Sequence, residues 1–417
     1  MNKILIFLIP VILFACSSND NSERKQIDKI MSKGKKITNY QKINIEQTKN
    51  IKSLNKINLQ KAKTIKNWTH VNFNVSNKIP IANLKNDLKI TKSKAIKSSN
   101  VLFTKNNTIV VSNKGKVYIL DQNLKLIKKL KLKIKRSKNF NLILNSAIYN
   151  NSLIISDNLG YIRKIDIDDL KIVWEKYLSV PFVSNLIINK KKIYVLNINS
   201  KIFCFKLEDG SQEWSYETAS NIFNTPEAFR ISVFSDKLIF SSNAGQITVL
   251  DLNNNKLIWQ RDLRKFTIFS SNKIFKISEI IIENNVIYLS SNYGETLAIR
   301  LEDGTEIWRN KTYLKNLIIS KKYIFGLRNN ISFIIISKKN GKTLFSNRLA
   351  KKNEKIKYNS ILLNKSYLLI GSKQKKSVMI KYSNLNTLKK VNYNFDKYIF
   401  LKDFAYLISE KKIVKVQ

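Results

Sequence analysis

The sequence predicts an all-β repeat protein, and two observations support this fold class. The first is a 15-residue pattern: a tight turn, a strand of alternating apolar residues, a second turn, and a second strand that ends in Trp. The pattern occurs at residues 160–174, 200–214, 245–259 and 294–308. The second observation is a period-two alternation of apolar residues that begins near residue 65 and continues along the chain, as in strands with a buried face. No comparable stretch shows a helical period.

The spacing of the repeats predicts the architecture. Counted on its first turn, the unit recurs at positions 115, 160, 200, 245 and 294, and in weaker copies near 331, 376 and 411. These intervals centre near 44 residues, which is about the length of a four-stranded propeller blade. We therefore predict an eight-bladed β-propeller of four-stranded antiparallel blades, with seven blades as the alternative.

The ends of the array indicate how the ring closes. The eighth copy contains too few strands before Gln417, so its blade needs a strand from elsewhere in the chain. The fifth tryptophan, Trp68, lies ahead of the first full blade in the segment TIKNW, residues 64–68. We expect this N-terminal strand to complete the last blade and close the ring, because closure removes the open sheet edges of the array.

The turns and the tryptophans have fixed places in the unit. Four first turns end in Gly, as in residues 243–245 (NAG), where a left-handed backbone conformation reverses the chain. Four tryptophans share one position of the repeat, namely Trp174, Trp214, Trp259 and Trp308. We expect these side chains, together with Trp68, to wedge between neighbouring blades. Truncation of any of them to Ala should then cost about 3 to 5 kcal/mol.

Composition limits the classes of function. The chain has 417 residues, is 43% hydrophobic and carries a formal net charge of +46. The basic residues are spread over nearly every segment rather than gathered in one stretch, which argues against a nucleic-acid partner. A strongly cationic protein is nevertheless drawn to anionic lipid headgroups and acidic protein surfaces.

The N-terminus carries a short apolar segment with a polar boundary. Lys3 precedes an apolar run over residues 4–14, and the sequence LFAC at 13–16 leads directly into polar residues. This arrangement resembles a bacterial lipoprotein signal peptide with its lipobox, in which lipid is attached to Cys16. The alternative, a transmembrane anchor, requires about 20 apolar residues, which is more than this run contains.

These features divide the chain into three parts. We predict a lipoprotein signal peptide over residues 1–15, a polar tether over residues 16–64 and the β-propeller over residues 65–417. An equally open interpretation is that part of the tether packs along the propeller as an extended segment. Ser17 after the lipobox resembles the residue found in lipoproteins that are sorted to the outer membrane, which implies a lipid-anchored protein facing the periplasm.

Cysteine and histidine are too few for most catalytic sites. With lipid on Cys16, Cys204 is the one remaining thiol, and its place in the repeat predicts a small buried core residue. His70 is the sole histidine, which excludes His-based triads and multi-histidine metal sites. We predict no metal, no cofactor and no catalytic residues.

The repeat resembles the pyrroloquinoline-quinone-type β-propeller repeat, in which a Gly, alternating apolar residues, an Asp, a Gly turn and a Trp follow one another. Residues 245–251 (GQITVLD) with Trp259 match this pattern, and Asp166 keeps the Asp at the strand end, whereas Lys206 and Arg300 depart from it. The resemblance covers residues 65–417. It implies the fold, and it leaves the function open because this fold serves several functions.

Joined to a lipobox, the repeat resembles the propeller lipoproteins of the outer-membrane β-barrel assembly machinery. The resemblance implies a non-enzymatic scaffold that is anchored by lipid on Cys16 and binds the periplasmic domains of the barrel-forming subunit. Unfolded outer-membrane proteins are further candidate partners. In this family a connection between central blades carries the contact, and the matching stretch here contains Ile222 and Phe223. The alternative is that both side chains pack into a blade.

A second contact of that family uses a pair of acidic residues before the next blade. Here the corresponding residues 275–278 read FKIS, so this contact is not transferred.

Two other classes of function remain open. The first is a quinoprotein dehydrogenase, which needs a quinone in the central channel, a Ca²⁺ ion held by acidic and amide oxygens and in many cases an adjacent cysteine pair. This chain has no adjacent cysteines and few acidic residues. The second is a propeller that captures an extracytoplasmic ligand or peptide.

Overall fold

The computed structural model describes residues 57, 59, 61–134, 141–222, 225–264, 274–350, 354–373, 377–385, 388–391 and 393–417. Residues Asn50–Gln417 form one compact unit. Its strands build eight four-stranded antiparallel sheets, which confirms the eight-bladed propeller and excludes the seven-bladed alternative. The one helical element in the described ranges is the 3₁₀ helix Pro226–Ala228. No described helix is therefore long and apolar enough to cross a membrane.

The first strand in the chain, β1, spans Ile90–Lys94 and precedes the consecutive blades. Blade 1 contains β2 Ser98–Thr104, β3 Asn107–Ser112, β4 Lys116–Leu120 and β5 Leu126–Lys131. Blade 2 contains β6 Leu144–Tyr149, β7 Ser152–Asp157, β8 Tyr161–Asp166 and β9 Lys171–Tyr177. Blade 3 contains β10 Ile187–Asn189, β11 Lys192–Leu196, β12 Lys201–Lys206 and β13 Gln212–Glu217. Blade 4 contains β14 Ile231–Phe234, β15 Lys237–Ser241, β16 Gln246–Asp251 and β17 Lys256–Asp262.

The second half of the chain continues the same order. Blade 5 contains β18 Ile281–Glu283, β19 Val286–Ser291, β20 Glu295–Arg300 and β21 Glu306–Asn310. Blade 6 contains β22 Lys315–Ile319, β23 Tyr323–Arg328, β24 Ser332–Ser337 and β25 Thr343–Arg348. Blade 7 contains β26 Tyr358–Leu363, β27 Tyr367–Ser372, β28 Ser377–Lys381 and β29 Lys389–Val391. Blade 8 contains β30 Lys397–Phe400, β31 Ala405–Ile408 and β32 Ile413–Val416.

Each blade runs from the centre of the ring to its outside. The first strands of neighbouring blades contact each other, as β2 contacts β6 and β22 contacts β26, so these strands line the axis. The middle strands of a blade are almost fully buried because both of their faces meet other blades. The fourth strands are mostly exposed. This gradient explains why the apolar alternation in the sequence is strongest in the second and third strands of each unit.

The ring has two distinct ends. The connections between blades and the turns between second and third strands lie at one end, which we call the connector end. The turns between first and second strands and between third and fourth strands lie at the opposite end. That end also receives residues 61–89, which we call the N-terminal strap, and we refer to it as the strap end.

An N-terminal strand closes the ring, as predicted, but a different strand from the one expected. β1 pairs with β32 and becomes the fourth strand of blade 8. The assignment of this role to the Trp68 segment was wrong. Trp68 instead exchanges two main-chain hydrogen bonds with Phe103 in the innermost strand of blade 1, at 2.8 and 2.9 Å. Its fully buried ring packs edge-on against Tyr398 and Phe400 of blade 8, so Trp68 fills the junction between the last and the first blade.

From Trp68 the strap runs around the strap end of the channel and bonds to one blade after another. Its main chain and side chains hydrogen-bond to the innermost strands of blades 2 to 5 and to the first hairpin of blade 7. The pairs are Thr69 with Ile148, His70 with Ile188, Val75 with Val233, Ser76 with Ile282 and Ala82 with Leu363. The strap then leads directly into β1, which belongs to blade 8. One continuous segment therefore ties the blades together before their own strands begin.

The repeat tryptophans join successive blades. The indole N–H of Trp174, Trp259 and Trp308 donates to a main-chain carbonyl of the following blade, namely Leu207, Leu301 and Lys338, at 3.2, 2.8 and 2.9 Å. Each of these rings lies against the Gly of that blade's last turn. The corresponding turn of blade 4 has Asn255 in place of Gly, and the indole nitrogen of Trp214 has no hydrogen-bond partner.

Burial of these rings is shallower than expected at most positions. Trp308 is buried, whereas Trp174, Trp214 and Trp259 are half-buried because they belong to outermost strands. A tryptophan ring on an outermost strand packs against the neighbouring blade on one side and leaves one edge exposed to solvent.

Candidate functional site

The partner-binding residues predicted from the sequence belong to the connection between blades 3 and 4, at the connector end. Ile222 is 90% exposed, the highest exposure among the large apolar side chains of the described residues. It therefore does not pack into a blade, which was the alternative interpretation. Phe223 and Cys16 lie outside the described residues.

The side chain of Asn243 fixes the connection immediately before Ile222. Asn243 lies in the turn between the second and third strands of blade 4, where it is 2% exposed. Its amide donates to the carbonyl of Asn221 at 2.8 Å and its carbonyl oxygen accepts the N–H of Asn221 at 3.0 Å. Ser200 of blade 3 donates to the same oxygen at 2.8 Å. The buried amide thus clamps the backbone one residue from the exposed side chain.

A second fixed point follows the exposed residue. Thr225 caps the 3₁₀ helix Pro226–Ala228, and its hydroxyl accepts the N–H of Glu227 at 3.4 Å. Pro226 occupies the first position of this helix, where its fixed φ matches the helical backbone and an N–H is not needed. Ile222 is thus presented between a clamped residue and a capped helix. Fixing both ends of a short connection lowers the entropy that a partner must remove on binding.

The same clamp occurs in two other connections. Asn158 donates to the carbonyl of Asn141 and accepts the N–H of Ile143, at 3.0 and 2.9 Å. Asn292 donates to the carbonyl of Ile274 at 2.8 Å and accepts from Lys276 at 2.9 Å. Ile143 and Ile274 are both exposed. Three clamped connections therefore each present an exposed isoleucine at the connector end, and we call Ile143, Ile222 and Ile274 the isoleucine trio.

Sequence reasoning missed the role of these asparagines. The Asn-X-Gly turns at 158–160, 243–245 and 292–294 were interpreted through their glycines, which do adopt positive φ. The asparagines act through their side chains, which reach a connection 15 to 22 residues earlier in the chain. The recurrence of Asn two residues before Gly was the available signal.

Ion pairs replace the acidic contact that this chain lacks. Lys276 lies 2.7 Å from Glu227 across the connections that flank blade 4, and Arg230 lies 3.0 Å from Glu279. Burial acts to raise the pKa of Glu227, but the hydrogen bond and the charge of Lys276 outweigh it and hold this pKa below its usual value. The carboxylates are therefore neutralised by neighbouring cations rather than presented to a partner.

A cavity of about 700 Å³ lies on the axis of the ring. Amides of the innermost strands line its wall, including Asn100 and Asn359, and the strap forms its floor with Trp68 and Ile79. Some of these amides link neighbouring elements, since Asn100 donates to the carbonyl of Leu144 at 2.6 Å. The lining is mixed, because apolar side chains such as Leu144 and Ile361 lie between the amides, and it includes two carboxylates and two lysines.

The lining does not fit a calcium-bound quinone. Its two carboxylates each pair with a cation, Glu279 with Arg230 at 3.0 Å and Asp396 with Lys373 at 3.2 Å. Among the described residues, no three His, Cys, Asp or Glu side chains converge as a metal site would require. The donor set that such an enzyme uses to hold Ca²⁺ is thus not assembled in the described part of this channel.

The remaining candidates for chemistry are buried in structural positions. His70 accepts the N–H of Ile188 at 3.2 Å through Nε2, and burial lowers its pKa to about 4. Cys204 is buried in β12, where burial raises the pKa of its thiol to about 12. A thiol with this pKa is not a nucleophile near neutral pH.

Comparison with known proteins identifies the family. A family model described as "Outer membrane protein assembly factor BamB" matches residues 135–347, just over half of the chain. The chain belongs to the BamB family. The matched region extends from the connection after blade 1 to the last strand of blade 6, and it contains the clamped residues of all three connections.

Individual relatives of the BamB family are distant in sequence. The outer membrane protein assembly factor BamB of Moranella endobia (strain PCIT) is 20% identical over 227 residues, which cover 53% of this chain and 57% of that protein. The chain spans about half the length of the curated relatives it matches.

Solved structures show the same fold. The crystal structure of BamB from Moraxella catarrhalis aligns with a TM-score of 0.67 at 13% identity and covers 79% of this chain and 100% of that one. Quinohemoprotein alcohol dehydrogenase from Comamonas testosteroni aligns with a TM-score of 0.60 at 10% identity, covering 85% of this chain and 81% of that one. At these identities the likeness shows a shared propeller and says nothing about shared chemistry.

Proposed function

We propose that this protein is a non-enzymatic scaffold of the outer-membrane β-barrel assembly machinery. It binds the periplasmic domains of the barrel-forming subunit through its connector end and so assists the folding and insertion of outer-membrane proteins. Membership of the BamB family supports the machinery, and the 90% exposed Ile222 on a clamped connection supports the surface.

The isoleucine trio has the properties of a protein contact. Covering an exposed apolar side chain lowers the free energy of the complex, and a side chain next to a hydrogen-bonded backbone group needs less ordering on binding. Several such side chains at one end of a ring form a discontinuous apolar surface with polar surroundings, which is typical of protein interfaces. A sheet edge or an extended segment of the partner could then pair with the connections.

We further propose the anchor and location that the N-terminal sequence predicts. Residues 1–15 act as a signal peptide, lipid on Cys16 holds the chain at the outer membrane, and residues 16–64 tether the propeller so that it faces the periplasm. Incorporation of labelled palmitate into the wild-type chain, and its loss in Cys16→Ser, would support this arrangement. Equal labelling of both chains would contradict it.

Site-specific photo-crosslinking in cells tests the partner surface. A photoreactive residue in place of Ile222 should capture the barrel-forming subunit. The matched control is the same residue in place of Ile172, which is 39% exposed but lies on the outer strand of blade 2, away from the connections. Capture at position 172 without capture at 222, from folded protein, would refute the proposed surface.

Two substitutions, measured by co-purification of the barrel-forming subunit, distinguish a contact made by Ile222 from the effect of its backbone position. Ile222→Asp should abolish most of the co-purification and leave stability unchanged, because the side chain is in water. Asn243→Ala should weaken co-purification while Ile222 itself is intact, because it releases the backbone of Asn221. If both variants co-purify with the subunit as well as wild type does, the clamped connection is not the contact.

A further inference from the structure

The charge of this protein is unevenly distributed around the ring. Counted from the first to the last strand residue of each blade, with β1 in blade 8, blades 6, 7, 8 and 1 contain 29 Lys and Arg but three Asp and Glu. Blades 2 to 5 contain 14 Lys and Arg and 17 Asp and Glu. Blades 6 and 7 contain no acidic residue at all. The four basic blades are consecutive in the closed ring, and we call them the basic half-ring.

The sequence alone hides this asymmetry. Blade 1 comes from the start of the propeller and blades 6 to 8 from its end, so the basic blades are separated in the chain by four nearly neutral ones. Ring closure through β1 and β32 places blade 8 beside blade 1 and joins the two groups. The charge that looked dispersed along the sequence is therefore gathered on one side of the structure.

The turns at the strap end show the contrast most clearly. On the basic half-ring the exposed turn and flanking residues there include Lys321, Lys322, Lys339, Lys365, Lys402 and Lys89, and Asp403 is an exposed acid beside Lys402. On blades 2, 3 and 5 the corresponding turns expose six acidic residues, Asp168, Asp169, Glu208, Asp209, Glu302 and Asp303, with Lys190 and Lys191 as exposed basic turn residues of blade 3. Lysines in tight turns project from the ring and lie close to any surface that the ring rests on.

The N-terminal segment meets the ring at this same place. The N–H of Ile57 donates to the carbonyl of Tyr382, directly after the third strand of blade 7, at 3.4 Å. Ile57 is buried in the core shared by blades 6 and 7, and Leu59 and Ala62 pack against that core. A chain that arrives from an N-terminal anchor thus reaches the strap end within the basic half-ring.

We propose that the strap end of the basic half-ring rests on an anionic lipid surface. Each Lys near such a surface adds to the attraction, so several turn lysines acting together hold the ring without an inserted segment. The orientation rests on the proposed lipid anchor, but the attraction does not depend on it. With this end on the membrane, the connector end and its isoleucine trio point away from the lipid.

Lipid suits these residues better than a nucleic acid or an acidic protein. Of the 29 basic residues in the half-ring, only Arg328 and Arg348 are arginines. Lysine acts as a hydrated point charge, whereas specific recognition of phosphate or carboxylate groups favours the bidentate fork of arginine. Point charges spread over the turns of four blades match a laterally continuous anionic surface.

Vesicle binding by the full chain with Cys16→Ser tests the proposal without the lipid anchor. It should partition to vesicles containing phosphatidylglycerol more strongly than to vesicles of phosphatidylcholine alone, and salt should weaken the difference. The variant with Lys321, Lys322, Lys339 and Lys365 each changed to Gln should partition at least about tenfold less. These four lysines are exposed turn residues, so their loss should not affect folding.

The matched control removes the same charge from the other half of the same end. Lys171, Lys190, Lys191 and Lys256, each changed to Gln, lie in or beside strap-end turns of blades 2 to 4 and are equally exposed. This variant should partition within about twofold of the parent. Equal losses in both variants, or no preference for phosphatidylglycerol, would overturn the proposal. So would release from the vesicles by an equal charge of duplex DNA.

A labelling experiment on the lipid-anchored chain tests the orientation. A fluorophore on Ser366→Cys, in the strap-end turn of blade 7, should be quenched by brominated lipid more than one on Asn254→Cys in blade 4. Equal quenching at the two sites would contradict the orientation. Failure of either lipid experiment would leave the crosslinking result at Ile222 intact, so the two proposals fail separately.

Discussion

Trp259 of blade 4 donates its indole N–H to the carbonyl of Leu301 in blade 5, at 2.8 Å, and its ring lies on Gly304 of the same turn. This contact joins two sheets that share no strand. The same contact recurs for Trp174 and Trp308. In each case the tryptophan of one blade packs against the positive-φ glycine in the last turn of the following blade. Blade-to-blade packing therefore depends on a residue without a side chain.

Gly304→Ala should destabilise the protein more than Gly294→Ala. Both glycines have positive φ, of 72° and 93°, so both variants incur the backbone penalty of about 1 to 2 kcal/mol. A Cβ on Gly304 would lie 2.8 Å from the ring of Trp259, whereas one on Gly294 meets nothing within 4 Å. We expect an additional loss of about 1 to 3 kcal/mol for Gly304→Ala in denaturant unfolding. Equal losses of unfolding free energy in the two variants would show that a Cβ at position 304 does not clash with the ring of Trp259.

Trp259→Phe and Trp214→Phe should have different effects on stability. Removal of the Trp259 indole leaves the carbonyl of Leu301 without this donor and should cost about 1 to 3 kcal/mol. The Trp214 nitrogen is buried without a partner, so its removal should be nearly neutral apart from lost packing. Unfolding free energies of the two variants check this, and a larger loss for Trp214→Phe would contradict it.

Stability should fall between pH 7 and pH 5 because of His70. Burial lowers the pKa of this side chain from 6.5 to about 4, so in this window the unfolded chain binds a proton that the folded chain does not. The unfolding free energy should decrease by about 2 kcal/mol across the window and decrease further until the pH reaches the folded pKa. His70→Gln, which does not titrate, should flatten the profile over this range. An unchanged slope would contradict the assignment.

Asp157→Asn should be among the most destabilising single substitutions in blade 2. Asp157 and Arg163 are both fully buried and 2.7 Å apart, so loss of the carboxylate leaves a buried guanidinium with less compensation. We expect a cost of about 3 to 5 kcal/mol. Asn keeps an oxygen for the turn N–H groups of Leu159 and Tyr161. The control Asp168→Asn, in an exposed pair with Lys105, should change stability by less than about 0.5 kcal/mol in the same assay.

The blades were predictable because each is built from local hairpins. Alternation in residues 245–259 reflects strands that pair with their sequence neighbours, so the repeat appears directly in the sequence. The sequence also predicted that the tryptophans lie between neighbouring blades. It did not show that Trp214 lacks a glycine contact, because this contact is made with a turn of the next blade.

The closing strand and the clamps were not predictable. β1 reads ITKSK and lies on the outside of blade 8, so it shows no apolar alternation, whereas Trp68 was conspicuous and drew the wrong assignment. Most of the strap's contacts with the inner strands use main-chain groups, which leave no signature in the sequence, although His70 and Asn77 bind through their side chains. Asn243 acts on a backbone 22 residues earlier, a distance that turn rules do not consider.

Local hydrogen bonding and side-chain periodicity thus determine eight blades from the sequence, since every blade pairs strands that are close in the chain. Which blades become neighbours where the ring closes is not determined locally, because it depends on the pairing of β1 with β32. That single antiparallel pairing places the basic blade 1 beside the basic blades 6 to 8 and leaves blades 2 to 5 nearly neutral. Charges that are far apart along the chain act together only because the ring is closed.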